Sequence, residues 1–143
     1  MMSDWGVEGD WAVRKQHQVL WGECDLYGHA NHTTYLRWCE DLRCSHWLAL
    51  GGSFAPEDFG PVLGSLEAKY LKPLVYDQPV LITMRPASLR RTSWVEEYAV
   101  WNDGLCFTCK SLLVAVQGSS GQKVPLPEVM RARLLAEGAK AEG

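Results

Sequence analysis

One long helical pattern limits the folds that this chain can adopt. Within residues 33–50 apolar side chains recur at the spacing of a helix, at Tyr35, Trp38, Cys39, Leu42, Ala49 and Leu50. Thr33 and Thr34 are good N-cap residues, and Gly51-Gly52 is a strong signal for the end of a helix. Because further apolar residues widen this surface near the C-terminal end, we expect the helix to be largely buried.

Strand patterns surround the helix. Residues 13–24 predict a first strand, and alternating apolar and polar residues from Val62 to Tyr70 predict a second. Three more strands are predicted at residues 79–85, 94–101 and 105–117. Asn102-Asp103-Gly104 is a hairpin signal between the last two. Short connections between these consecutive strands favour an antiparallel meander.

A sheet has an apolar face that must be covered, and the long helix is the only large element predicted to cover it. The expected architecture is α+β, a curved antiparallel β-sheet wrapped around one long central helix, which is the hotdog fold. We expect residues 1–12 to form a flexible N-terminal segment and residues 13–124 the hotdog domain. Residues 125–143 are expected to form a short C-terminal helix and tail, with Pro127 as the first helical residue.

Composition disfavours several classes of function. The net charge is -3 over 143 residues, so we expect no nucleic acid as a partner. Since no stretch approaches the roughly 20 apolar residues of a spanning helix, we also expect no membrane association. Five cysteines without a secretory pattern indicate reduced thiols and a cytoplasmic location. Cys106 and Cys109 form a C-x-x-C within a predicted strand, where residues three apart point to opposite faces, so we interpret both as structural.

Residue types that bind metals are concentrated in "ECDLYGHANHTTYLRW", residues 23–38. The candidates are Cys24, Asp25, His29 and His32. Adjacent residues of an extended segment point in opposite directions, which separates Cys24 from Asp25, and catalytic zinc needs three convergent protein ligands. We therefore expect no metal site.

The same stretch contains the groups needed for acyl transfer. Asp25 precedes the predicted helix, and a carboxylate there can act as a general base on water or attack an acyl carbon. The helix N-terminus presents unpaired backbone N–H groups that can stabilise an oxyanion. Gly28 allows tight turning or close ligand approach, and Tyr35 and Trp38 could line a substrate pocket. The structural alternatives are a turn or capping role for Asp25 and a core role for both aromatic residues.

Four segments, in order, resemble one enzyme family. "DLYGHANHTTYLRW" resembles the signature of the hotdog-fold thioesterases of the 4-hydroxybenzoyl-CoA thioesterase group, and it is also similar to bacterial long-chain acyl-CoA and plant acyl-carrier-protein thioesterases. The later segments "GPVLGSLEAKYLKPLVYDQPVLI", "LRRTSW" and "KVPLPEVMRARL" are similar to the rest of that family. The resemblance runs from about Val13 to Leu134. It implies a homodimer or homotetramer with active sites between subunits, and no cofactor apart from the CoA of the substrate.

The resemblance also implies roles for individual residues. Asp25 matches the catalytic carboxylate, which serves as general base or as nucleophile, and the backbone N–H of His32 matches the group that polarises the thioester carbonyl. His29 and Asn31 match positions that line the site and orient the acyl group or water. Ala30 replaces the commoner valine, and His32 stands where asparagine or an aromatic residue is frequent; these departures concern the choice of acyl group.

A basic segment forms a second candidate site. Arg90, Arg91, Thr92 and Ser93 match a segment that lies near the nucleotide end of CoA in relatives that use CoA. Arginine side chains suit phosphate groups, and Arg85 adds to this local basic cluster on an otherwise acidic protein. The structural alternative is a solvated charged face.

The expected function is hydrolysis of a small-molecule acyl-CoA thioester to the free acid and CoA. Two alternatives stay open. One is a thioesterase that acts on acyl carrier protein in a biosynthetic pathway, and the other is a non-catalytic acyl-CoA-binding protein of the same fold. A hydratase is disfavoured, because "DLYGHANH" does not reproduce the local pattern of aspartate and histidine in hydratases of this fold.

Overall fold

The structure is a computed structural model that describes residues 5–142. Its strands are β1 (Val13–Gln18), β2 (Phe59–Tyr70), β3 (Pro79–Leu89), β4 (Ser93–Trp101), β5 (Leu105–Gln117) and β6 (Lys140–Ala141). Its α-helices are α1 (His32–Ala49) and α2 (Glu128–Ala136), and a 3-10 turn (Trp21–Glu23) follows β1. The first strand ends earlier than predicted because the chain turns at Trp21. Neither α-helix of the described chain is long and apolar enough to cross a membrane.

The strands form one curved sheet in the order β1-β3-β4-β5-β2, with β6 beside β3. Neighbouring strands are antiparallel, except that β6 runs parallel to β3. The predicted meander is therefore limited to β3, β4 and β5. β2 pairs instead with β5, from Phe59↔Gln117 to Tyr70↔Phe107. The chain reaches the other side of the sheet through residues 71–78, a connection long enough to cross it. The predicted α+β class and antiparallel sheet are confirmed.

One face of the sheet and α1 enclose the main hydrophobic core. Tyr35, Trp38 and Leu42 of α1 pack in one cluster with residues such as Ile82 of β3 and Tyr98 of β4. These α1 side chains recur three or four residues apart, as the helical pattern predicted. The prediction of a largely buried helix is confirmed for this half of α1.

A second helix shares the covering of the sheet with α1, whereas the sequence predicted a single covering helix. Met130 and Leu134 of α2 are buried in a cluster with Trp47 and Trp94. Length explains the difference. α1 has 18 residues and is about 27 Å long, while β5 has 13 residues and is about 43 Å long. One end of the sheet therefore stays uncovered by α1, and α2 buries it.

The N-terminal segment differs from the expectation of a flexible terminus. Residues 1–4 lie outside the described residues, but Trp5, Val7 and Trp11 pack against a cluster that contains Trp101. The rings of Trp11 and Trp101 are 6.1 Å apart, and the Arg85 guanidinium lies 4.0 Å from the centre of the Trp11 ring. Burial of aromatic surface holds this segment on the sheet.

Candidate active site

The chain between β1 and α1 forms a small hairpin that carries Asp25. Its two sides meet at a bridge between Cys24 and Ala30, and the Asp25 N–H donates to the His29 carbonyl at 2.8 Å. At the tip, the Gly28 N–H donates to the Asp25 carbonyl at 3.0 Å. Gly28 has a φ of 78°, a conformation that costs glycine little and other residues more. Gly28 thus makes the tight turn suggested by the sequence.

The Asp25 side chain holds this hairpin together. Its Oδ1 accepts hydrogen bonds from the N–H groups of Tyr27, at 2.9 Å, and His29, at 3.2 Å. This is an Asx-turn, so the turn role considered for Asp25 is observed. Asp25 is exposed, and no donor from residues 5–142 contacts its Oδ2. The backbone therefore orients the carboxylate through one oxygen and leaves the other for water or a ligand.

Asn31 caps α1, and the two threonines predicted as caps lie inside the helix. Asn31 Oδ1 accepts the N–H of Thr33 at 3.0 Å and the Thr33 hydroxyl at 3.0 Å. The Thr34 hydroxyl donates instead to the Glu23 carbonyl at 3.0 Å. A capping side chain must precede the N–H group that it satisfies by two or three residues, and Asn31 meets that condition. Asn31 is thereby occupied by the helix start, while its predicted contact with substrate stays a prediction.

His32 is the first residue of α1, so its N–H has no acceptor within the helix. The residue is exposed, and the described chain supplies no other acceptor for this N–H. The His32 carbonyl, in contrast, accepts a 2.7 Å hydrogen bond from the Tyr70 hydroxyl. The donor that the sequence predicted for polarising a carbonyl is therefore available, and β2 fixes the residue that carries it.

The histidine side chains of this region do not form a metal site. The rings of His29 and His32 are both exposed, and neither is hydrogen-bonded to any group among residues 5–142. Throughout that range, no three His, Cys, Asp or Glu side chains converge as they would around a metal ion. The role predicted for the His29 side chain in the site stays a prediction.

The connection between β2 and β3 anchors the hairpin to the sheet. The Ala30 N–H donates to the Leu74 carbonyl at 2.7 Å, and His29 forms a bridge with Val75. Leu74 is completely buried in the main core. The hairpin therefore lies at the end of the sheet where β3 begins.

Glu23 is a structural centre of the site that the sequence analysis missed. Its carboxylate accepts hydrogen bonds from the Trp38 indole, at 2.8 Å, and the Leu20 N–H, at 2.8 Å, and lies 2.9 Å from His17 Nε2. Burial raises the pKa of Glu23, but these hydrogen bonds outweigh burial and hold the pKa below its ordinary value. Its carbonyl accepts the N–H of Asn31 at 2.8 Å. The only signal in the sequence was an acidic residue two positions before Asp25.

Tyr35 and Trp38 lie in the core of the protomer. Each is 3% exposed, and their rings are 5.2 Å apart. Burial raises the pKa of Tyr35 to about 12, so its hydroxyl stays protonated at neutral pH. The core role considered for both residues is observed, and a lining role toward substrate stays a prediction.

The turn between β3 and β4 consists of Arg90, Arg91 and Thr92, and Ser93 is the first residue of β4. The Arg90 N–H donates to the Ser93 carbonyl at 2.8 Å, and Arg90 Nε lies 3.9 Å from Glu142. The Asp25 hairpin is at the beginning of β3, and this turn follows its end. Since β3 has 11 residues, about 36 Å separate the two regions. Within one protomer the two predicted sites are not brought together.

Two depressions flank the first turns of α1. The first, the α1–β2 groove, has a volume of about 300 Å³ and is lined by Thr33, Leu36, Arg37, Cys39, Glu40 and Arg43 of α1, Leu63 and Leu66 of β2, and Cys109 and Ser111 of β5. The second, of about 280 Å³, lies on the side of Glu23 and Asn31. Thr33 and Arg37 line both. A ligand held at the start of α1 could therefore extend to either side.

Comparison with solved structures identifies the same architecture in known thioesterases. A thioesterase-superfamily protein from Jannaschia sp. CCS1 is 29% identical with a TM-score of 0.80, over 89% of this chain and 83% of that one. A thioesterase from Thermus thermophilus, solved with coenzyme A and Zn, is 27% identical with a TM-score of 0.77. The match covers 87% of this chain and 98% of that one. A 1,4-dihydroxy-2-naphthoyl-CoA thioesterase from Synechocystis shares the fold, with 16% identity and a TM-score of 0.76. The match covers 85% of this chain and 94% of that one.

Sequence comparison agrees with the structural one. No curated protein sequence matches the chain. The family model of the thioesterase-like superfamily, however, matches residues 19–134, a range that includes the Asp25 hairpin, α1 and strands β2 to β5. The chain belongs to the thioesterase-like superfamily.

Proposed function

We propose that the protein hydrolyses acyl-CoA thioesters, with Asp25 and the His32 N–H acting on the same thioester carbonyl. The observation that carries this proposal is the arrangement at the start of α1. An exposed carboxylate, fixed through Oδ1, lies in a hairpin that leads directly into a helix whose first N–H is unbonded. A base and an electrophilic donor are the two groups that thioester hydrolysis requires.

In the proposed reaction the carbonyl oxygen accepts a hydrogen bond from the His32 N–H. Asp25 takes a proton from a water molecule as the water oxygen attacks the carbonyl carbon. The N–H and the positive end of α1 stabilise the negative charge that forms on the carbonyl oxygen. The carbon–sulfur bond then breaks, CoA leaves as a thiolate, and the proton held by Asp25 neutralises it. In the nucleophilic variant Asp25 attacks the carbon itself, and water hydrolyses the resulting anhydride.

The choice of CoA as carrier is supported by two observations. The Thermus thermophilus relative was solved with coenzyme A. Arg90 and Arg91 are exposed to solvent in the turn after β3. The planar guanidinium group of arginine can donate two hydrogen bonds to one phosphate group, such as those of CoA. We propose that Arg90, Arg91, Thr92 and Ser93 contact the nucleotide end of the substrate.

A homodimer would bring the two halves of this site together. β2 is at one edge of the sheet, its outer side is unpaired among residues 5–142, and it exposes Val62, Leu63, Leu66 and Tyr70. A long exposed edge with apolar side chains favours pairing with another strand. The first half of β2 lies toward the Arg90 turn and its last residue lies beside His32. Antiparallel pairing of two β2 strands would therefore bring Asp25 of one protomer toward the Arg90 turn of its partner.

Asp25→Asn is the decisive variant. Asparagine keeps an oxygen that can accept from the Tyr27 and His29 N–H groups, so the hairpin should persist, but it removes the base. We expect kcat on acyl-CoA thioesters to fall by about 100-fold or more. The matched control is Asp77→Asn, in an exposed loop where Asp77 also accepts a side-chain hydrogen bond, from Gln18 at 2.7 Å. Wild-type turnover by Asp25→Asn would remove Asp25 from the mechanism.

The two alternative functions give different results in the same assays. A carrier-protein thioesterase would hydrolyse acyl carrier protein thioesters faster than the matched CoA thioesters, and Arg90→Ala with Arg91→Ala would not change its preference between the two carriers. A non-catalytic binding protein would bind acyl-CoA and hydrolyse none of a panel of aliphatic and aromatic thioesters. The proposal predicts a preference for CoA that weakens when the two arginines are replaced.

A further inference from the structure

Two arginines of α1 line the α1–β2 groove, and the proposed hydrolysis uses neither of them. Arg37 is exposed and lines both depressions beside the helix start. Arg43 is half-buried and lies about 9 Å further along α1. Neither guanidinium group forms a hydrogen bond or an ion pair with any group among residues 5–142. Since Glu40 is the one acidic side chain among the described residues of the groove, positive charge predominates there.

Arg43 contacts an aromatic ring instead of a carboxylate. Its guanidinium carbon lies 5.9 Å from the centre of the Tyr98 ring, and Tyr98 is 1% exposed. Tyr98 pairs across the sheet with Cys109, which also lines the groove. Glu96, the carboxylate bonded to the Tyr98 hydroxyl, pairs with His46 instead. Because removal of a cation from water is unfavourable unless the cation is paired, Arg43 favours the entry of an anion into the groove.

The rest of the groove suits an apolar chain that ends in a polar group. Leu36, Leu63 and Leu66 provide apolar surface along α1 and the edge strand β2. Ser111 also lines the groove and is 1% exposed. Within the described chain its hydroxyl contacts only the Cys109 thiol, at 3.6 Å. A thiol is a weak hydrogen-bonding partner, so the Ser111 hydroxyl can also donate to a ligand.

We propose that the α1–β2 groove binds the acyl group of the substrate and selects acyl groups that end in a carboxylate. This inference rests on the proposed function, which places the thioester carbonyl at the His32 N–H, beside the start of the groove. The acyl chain lies against the leucines, and its carboxylate accepts hydrogen bonds from the Arg43 guanidinium. Arg37 adds positive charge near the helix start. The substrate class is therefore the CoA monothioesters of dicarboxylic acids.

The phosphates of CoA are the other anions that these arginines could bind. The apolar lining favours the acyl group, because a diphosphate has no apolar surface to place against three leucines. Ligands that share the CoA part and differ only at the end of the acyl chain separate the two sources. If Arg43 binds a CoA phosphate, its replacement weakens all such ligands equally.

The experiment compares suberoyl-CoA with octanoyl-CoA, whose acyl chains have the same length and end in a carboxylate and a methyl group. We expect the wild-type kcat/KM to be about 10-fold or more higher for suberoyl-CoA, and this ratio to fall by about 10-fold in Arg43→Gln. Arg43→Lys keeps the charge and should keep part of the preference. Arg14→Gln, at an exposed arginine of β1 that does not line the groove, should keep the wild-type ratio.

Binding is measured separately with thioether analogues of both ligands, which cannot be hydrolysed. Tighter binding of the carboxylate-ended analogue, lost in Arg43→Gln, would support the specificity of the groove even if the protein hydrolysed no thioester. A failure of the proposed hydrolysis is therefore distinguished from a failure of this inference.

Two results would overturn the inference. One is a wild-type protein that binds and hydrolyses the two ligands equally well, a result that requires no variant to fold. The other is an equal loss for both ligands in Arg43→Gln, which would assign Arg43 to the CoA part of the substrate.

Discussion

The Tyr70 hydroxyl donates a 2.7 Å hydrogen bond to the His32 carbonyl, and this bond joins the last residue of β2 to the first residue of α1. The Tyr70 ring also lies 5.3 Å from Tyr35 and 5.0 Å from Phe107, so the tyrosine is held by the core while its hydroxyl reaches the helix start. The same His32 residue presents its N–H at the exposed start of the helix. The edge strand therefore positions the group that we propose to bind the thioester carbonyl.

Tyr70→Phe tests this positioning. The variant keeps the ring contacts and loses only the hydrogen bond, so we expect a loss of about 1 kcal/mol or less in the free energy of unfolding. We expect kcat to fall several-fold with KM little changed, because the N–H is needed most when charge develops on the carbonyl oxygen. Urea unfolding and steady-state kinetics on one acyl-CoA measure both. Tyr27→Phe, whose side chain is 86% exposed, is the control. Equal kinetics in the two variants would contradict the positioning role.

Glu23→Gln should destabilise the protein in a pH-dependent way. The pKa of Glu23 is lowered in the folded state, so its ionised form contributes stability above its ordinary value of 4.5, and this contribution is lost as pH falls through the folded pKa. We expect the variant to be about 1–2 kcal/mol less stable than wild type at pH 7, with a smaller difference at pH 4. Urea unfolding at both pH values measures this. Glu57→Gln, in an exposed loop, serves as the control, and an equal difference at both pH values would contradict the prediction.

His46 joins α1 to β4 and to the end of α2 through two carboxylates. Its Nε2 lies 2.7 Å from Glu137 and its Nδ1 lies 3.7 Å from Glu96, which is 2% exposed. Glu96 also accepts hydrogen bonds from the Tyr98 hydroxyl and the Trp94 indole. Burial lowers the pKa of His46, but the two carboxylates outweigh burial and raise it above 6.5. The protonated form of His46 therefore stabilises the packing of α2.

The stabilisation by His46 should disappear at high pH. A raised pKa contributes stability that is complete below about 6.5 and is lost as pH rises through the folded pKa. We expect His46→Gln to be about 2 kcal/mol less stable than wild type at pH 6 and closer to wild type at pH 9. Urea unfolding from pH 6 to 9 measures the difference, and His29→Gln is the control, because the His29 ring is exposed and has no hydrogen bond among residues 5–142. A constant difference between His46→Gln and wild type across this range would exclude the ion pairs as its cause.

The sequence predicted those parts of the fold that depend on local patterns. Residues close together in the chain determine the helical spacing of apolar residues in α1, the alternation of apolar and polar residues in β2, and the hairpin between β4 and β5. The pairing of β2 with β5 is not, because it joins segments about 50 residues apart and depends on the shape of the whole sheet. The short C-terminal helix was predicted, but its role in covering the sheet was missed for a related reason, since the need for α2 there follows from the length of the sheet relative to α1.

The residues of the candidate site also differ in whether the sequence could predict their contacts. The turn made by Asp25 and Gly28 was predicted because it depends on residues close together in the chain, whereas the catalytic role of Asp25 stays a proposal. Glu23, Tyr70 and Leu74 were missed because each acts on a residue distant in the chain or in a different element. Asn31 was assigned to substrate rather than to the cap, since either threonine after it was an equally good cap by residue type.

Val62→Lys tests the proposed dimer. Val62 is 49% exposed on β2 and lines neither depression beside α1, so the variant should leave the protomer intact. In the antiparallel pairing of two β2 strands it introduces one charge from each protomer into an apolar edge, which disfavours association. We expect wild type to sediment as a dimer or larger assembly and Val62→Lys to sediment as a monomer. Turnover of acyl-CoA should fall in the monomeric variant, because the Arg90 turn of the partner is then absent from the site.

Leu48→Lys, at a 55% exposed position on α1, should stay associated and active. A monomeric Val62→Lys with wild-type turnover would show that one protomer forms the complete site, and the Arg90 turn would then have no part in binding CoA.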